Sequence, residues 1–151
     1  MSAKVGFKLV RCIGGVTEAA MIEVVGSGTI LTGDLVQKEP QGQGYTATRA
    51  SSTTGVADVI GVAQTDLASG TGVINIIPCM PGQLWEATCT NATATGQIFM
   101  RNALSSASSV NNSTTDVLGT TGVIQIWKQI GATSDNKALV EIIRGHYDYK
   151  L

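Results

Sequence analysis

Few side chains in this sequence are of a type that could carry out chemistry, and their spacing assembles none of the usual constellations. The one histidine, His146, stands beside Tyr147 and Asp148. It is the sole imidazole that could serve as general base in a Ser-His-Asp arrangement. Its place in a strand-like terminal segment makes a surface or interface histidine the simpler reading. Cys12, Cys79 and Cys89 lack Cys-x-x-Cys spacing and, with a single histidine, supply no zinc-binding set. Their odd number fits reduced, buried thiols of a chain made in a cytoplasm rather than a disulfide framework. Asp34, Asp58 and Asp66 sit beside turn residues, where a short carboxylate bonds nearby backbone. The competing reading is a calcium site shared between loops. Gly26-Ser27-Gly28-Thr29 resembles a phosphate loop in composition but lacks the following lysine and helix. Trp85 could stack a sugar or a base, yet its alternation with Ala87 and Cys89 puts it in a core. Trp127 reads the same way among Val123, Ile124, Ile126 and Ile130. No catalytic residue, metal ligand or cofactor is therefore expected, and the chain is read as a non-enzyme.

Composition points the same way. The 151 residues are 43% hydrophobic and only 14% charged, with a net charge of −1. The charged share is well below the ~25% of ordinary domains. So little charge does not keep neighbouring molecules apart, which favours assembly. Lysines and arginines are scattered singly, so no basic face invites nucleic acid. No apolar run approaches the ~18 residues of a membrane helix. The first eight residues do not read as a signal peptide.

The elements that position these residues are strands. Val5, Phe7, Leu9 and Ile13 share one face of the first segment, with Lys4 and Lys8 opposite and Arg11 interrupting. Further strands are expected over 20–25, 29–31, 35–37, 45–49, 59–64, 72–77, 84–89, 97–101, 123–130 and 138–149. The segments 59–64 and 72–77 read as an antiparallel pair, with 84–89 continuing their sheet. Gly33 supplies the positive φ of a tight turn. Residues 103–121 are rich in Ser, Thr and Asn and read as a long exposed loop. About ten short strands between regular turn signals make an all-β sandwich or barrel.

Several motifs follow one another in a distinctive order. They are Gly33-Asp34-Leu35-Val36, Ile60-Gly61-Val62-Ala63-Gln64-Thr65-Asp66 with Gly70, and the strand from Val73 to Ile77. Pro81-Gly82-Gln83-Leu84-Trp85-Glu86-Ala87, Gly96-Gln97-Ile98-Phe99, Gly122-Val123-Ile124 and 139–143 complete the series. In this order the chain resembles the head decoration, or cement, proteins of tailed bacteriophages over residues 20–145. Its centre is similar in layout to the lambda-type decoration protein. The resemblance implies a compact β-barrel or β-tulip core and a trimer on the outside of the capsid, clamping major capsid proteins. It carries over no catalytic residue. Residues 1–19 and 103–121 fall outside its pattern.

The expectation is then a virion protein, made in the host cytoplasm, that cements neighbouring major capsid proteins against the pressure of packaged DNA. It would touch neither nucleic acid nor membrane. The domain spans 20–145, with an N-terminal arm at 1–19 and a C-terminal strand extension at 146–151. Candidate capsid or subunit contacts are Val5, Phe7 and Leu9 in the arm and Tyr147, Tyr149 and Leu151 at the other end. The last segment could equally close the domain's own sheet or pair with a neighbouring subunit. The alternative is a β-rich glycan-binding module of a virion fibre or cell surface, marked by exposed aromatics on a loop.

Overall fold

The computed structural model describes residues 6–13, 20–41, 44–112 and 119–143. Twelve strands run through them in chain order: β1 (Lys8–Cys12), β2 (Ile22–Ser27), β3 (Leu35–Gln41), β4 (Gly44–Arg49), β5 (Val59–Ala63) and β6 (Thr71–Pro78). Then come β7 (Gln83–Cys89), β8 (Arg101–Asn102), β9 (Leu104–Ser106), β10 (Ser109–Val110), β11 (Ile124–Ile130) and β12 (Lys137–Ile142). No α-helix occurs among the described residues, and the fold is all-β.

The strands divide into two units. β2-β4-β3-β5-β6 close into a barrel, while β8-β11-β12-β7-β10-β9 form an open sheet to which β1 adds along β7. Each has its own core. The barrel interior holds Ile30, Val36, Ala47, Ala63, Ile74 and Ile76. The larger core lies between the sheet and one barrel wall, and contains Trp85, Ile124, Ile126 and Val140 together with Leu35, Val62 and Ile77 of the barrel.

This shared wall explains why its strands read as unbroken apolar runs rather than alternating ones. Successive residues point to opposite faces, so Leu35 enters the sheet core and Val36 the barrel core. Val62 and Ala63 divide in the same way, as do Ile77 and Ile76. A register irregularity opposite Val36/Gln37 brings Val59 onto the same core as Val62. Beside it, a Cβ added at Gly61 would lie 2.5 Å from the carbonyl oxygen of Ile77, so only glycine lets the strands meet there.

The 59–64 and 72–77 segments pair antiparallel as expected. Residues 84–89 do not continue their sheet. After Pro78 the chain leaves the barrel, and β7 becomes the central strand of the open sheet, between β12 on one side and β1 and β10 on the other. Gln83, 2% exposed, pins this crossover: its Oε1 accepts from Met80 N at 2.9 Å and its Nε2 donates to Pro78 O at 3.0 Å.

Three other expectations change. The 97–101 strand is instead a single 3₁₀ turn, Thr95–Gln97, and Phe99 takes a left-handed φ of 66° before the short β8. The 103–121 loop contains β9 and β10, and Leu104, Val110 and Ala107 of the turn between them are buried; residues 113–118 lie outside the described ones. Its serines are real surface, but every third residue or so is an anchor. Finally, residues 8–12 are no separate arm. β1 pairs antiparallel with β7, Leu9 opposite Trp85, and the interruption at Arg11 falls at a register shift between Leu9 and Arg11.

Candidate interaction surfaces

The Gly33-Asp34-Leu35-Val36 motif lies where the two units meet, and its side chains are used in packing and turns. Gly33 has a φ of 95°, as expected, which leaves its carbonyl free to accept from Phe7 N at 2.8 Å. Asp34 is buried, and its Oδ2 accepts from Leu31 N at 2.8 Å and pairs with Arg49 Nε at 2.8 Å. Asp66 Oδ1 accepts from both the backbone N and Oγ1 of Thr32, at 2.6 and 2.8 Å. Asp34 thus serves its own turn, whereas Asp66 reaches across to a turn made 34 residues earlier. Among the described residues, no group of three or more His, Cys, Asp or Glu is placed to hold a metal ion. Cys79 and Cys89 are buried thiols. Burial raises the Cys89 pKa from its ordinary 9.0 to about 11, opposite to the shift a nucleophile needs.

Of the six candidate contact residues, two lie within the described structure, and both pack against the chain's own sheet core. Phe7 is 3% exposed and belongs to the sheet core; Leu9 is half-buried against the same core. Their apolar face was legible, but it is used by the chain's own sheet because β7 has an open edge beside Gln83–Glu86 for β1 to fill. Val5, Tyr147, Tyr149 and Leu151 lie outside the described residues, as does His146.

Where barrel and sheet meet, a cleft of about 340 Å³ is lined by Phe7, Lys8, Thr32, Gln64, Glu86 and Lys137. Lys137 Nζ lies 3.5 Å from Glu86 Oε1, so the charges of this seam largely answer one another.

Two exposed surfaces have no such internal partner. The first is the part of the barrel's outer face, on β2 and β6, that the sheet does not cover. Val25 and Val73 stand directly opposite each other on β2 and β6 and are 44% and 64% exposed. Met21 and Ile22 are also exposed, at the start of β2, with Glu23 between Met21 and Val25.

The second is aromatic. Trp127 is the extra residue at a register irregularity in β11, between Ile126 and Lys128. By strand alternation its indole faces away from the core that holds Ile124 and Ile126. Trp127 is half-buried, and its indole N–H has no hydrogen-bond partner among the described residues. Phe99 packs edge-on to it at 5.8 Å between ring centroids and is 62% exposed. Backbone bonds hold this arrangement: Phe99 N donates to Ile126 O at 2.6 Å and Ile126 N to Met100 O at 3.0 Å. Gln125 Nε2 donates to Phe99 O at 3.2 Å. Trp85, by contrast, is 1% exposed in the sheet core with Val62, while Ile76, its other expected neighbour, belongs to the barrel core.

No protein-family model and no curated protein matches the chain. Among solved structures, its fold is similar to the head fiber gp8.5 N base of bacteriophage phi29. The TM-score is 0.48 and the identity 9%, over 82% of this chain and 94% of that one. A likeness this loose transfers no function.

Proposed function

We propose that the chain is a structural, non-enzymatic protein of a bacteriophage virion that decorates the outside of the head and cements neighbouring major capsid proteins. The observation that carries this reading is the open barrel wall. Val25, Val73 and Met21 put apolar surface on a part of the domain that its own sheet leaves uncovered, while buried Asp34 and Gln83 are engaged in turns. Burying such a strip against a capsid would stabilise contacts that packaged DNA strains, at roughly 25 cal/mol per Å² of apolar surface covered. The ordered series of motifs supports the same reading. Self-association as a homotrimer belongs to the proposal and rests on the sparse charge of the chain. No cofactor, nucleic acid or membrane is required.

The experiment is reconstitution on heads lacking the protein. Wild-type chain should bind the outer surface, and the double variant Val25→Thr/Val73→Thr should bind at least about tenfold more weakly while remaining folded. Undiminished binding by the folded double variant would remove the open wall from the interface. Light scattering of the free protein, and subunit counting on the head, test the trimer; monomers in both settings refute it.

A further inference from the structure

We propose that the Phe99–Trp127 ledge is a binding site for a neutral saccharide, an activity beyond head decoration. A pyranose ring has an apolar face of C–H bonds and a rim of hydroxyls. It is recognised by an exposed aromatic face beside uncharged hydrogen-bonding groups. The ledge has both parts. Phe99 offers a ring with more than half its surface in solvent, Trp127 backs it edge-on, and Ile98 is exposed beside it. Gln125 brings a primary amide to the Phe99 backbone, and Glu141, which stands opposite Gln125 on β12, is engaged by Gly82 N at 3.3 Å.

Two features make the ledge more than incidental exposure. A phenylalanine at φ 66° is in a backbone region that bulky residues rarely adopt, and glycine would take it without strain. Trp127 follows the buried Ile126 and so faces outward by strand alternation, and the bonds from Phe99 N to Ile126 O and from Gln125 Nε2 to Phe99 O hold the Phe99 ring against it. A protein partner fits less well. Stable interfaces cover ~20–30 residues a side, whereas the paired rings seen here, among the described residues, match the footprint of one or two sugar rings.

The test is titration of the full chain with the neutral trisaccharides chitotriose, cellotriose and maltotriose to millimolar concentration. Tryptophan emission and amide chemical shifts report the outcome. Trp85 is buried, so emission changes report Trp127. At least one probe should give a saturable change confined to Ile98, Phe99, Met100, Gln125 and Trp127. Phe99→Gly should melt no lower than wild type, because it relieves the left-handed strain, yet bind at least about tenfold more weakly. Phe99→Leu, which keeps apolar bulk without a ring face, should lose binding likewise, and Phe99→Tyr should keep it. The proposal is overturned if none of the three probes gives a saturable response. It is equally overturned if Phe99→Gly or Phe99→Leu binds as wild type does, or if these variants abolish self-association instead. Attachment to heads should be unchanged by all three variants, which separates this site from the decoration reading.

Discussion

The barrel shows two walls made from the same kind of residue to opposite surroundings. On the wall against the sheet, Val62 is fully buried and Ile77 nearly so; on the open wall, Val25 is 44% and Val73 64% exposed. The difference lies in what surrounds the β-branched residues rather than in the residues themselves. The covered wall lacks polar alternation and needs Gly61 where two backbones meet. The open wall keeps polar residues beside its apolar ones, with Glu23 opposite Asn75 and Ser27 opposite Thr71. An apolar residue retained on a wall that could have been wholly polar is the more informative of the two.

The covered wall should fail most severely when its far side is hollowed out. Trp85→Ala removes the largest fully buried side chain of the sheet core and should cost ~3–5 kcal/mol in urea unfolding. A loss below ~1 kcal/mol would mean that the sheet does not depend on this contact. Deleting residues 2–10 is next. Because Phe7 is in the core and Leu9 opposes Trp85, the truncated chain should lose cooperative unfolding or melt far lower, rather than shed a dispensable arm.

Alkali provides a milder probe of the same core. The folded Cys89 pKa is raised to about 11, so the stabilisation from keeping this thiol neutral is complete below the unfolded value near 9.0. It is lost as pH rises through the folded value. Stability should fall between pH 9.0 and about 11 by up to ~2–3 kcal/mol. Cys89→Ala should flatten that part of the profile, and an equal slope in the variant would assign the loss to another group.

The sharpest comparison uses one substitution on both walls. Val→Thr keeps shape and β-branching and adds a hydroxyl. Val62→Thr buries that hydroxyl and should cost ~1–3 kcal/mol. Val73→Thr and Val25→Thr leave it in water and should each change stability by less than ~0.5 kcal/mol. Equal costs on both walls would show that the open strip is internal packing in disguise.

Much of the covered wall was legible in the sequence, because residues buried on both faces leave an apolar run that turn residues bracket. That Leu35 and Val36 enter different cores was not legible, since it depends on a second sheet folding over the barrel. The N-terminal alternation was also readable, but its partner was not. Pairing of β1 with β7 is a contact across more than 70 residues, and local pattern carries no information about it. The outward face of Trp127 was readable, since it alternates with the buried Ile124 and Ile126 as Gln125 does. Its contact with Phe99 was not, because it joins segments distant in the sequence. Leu104, Ala107 and Val110 were masked by the serines between them.

The central claim is that the open barrel wall holds the protein to the outside of a phage head. Electron cryo-microscopy of heads with and without the protein, at a resolution that distinguishes barrel from sheet, tests it most directly. The account predicts added density outside the shell at junctions between major capsid proteins, with the wall bearing Val25 and Val73 turned towards the capsid. Density inside the head or confined to the tail would contradict it, as would an outer position in which that wall faces solvent.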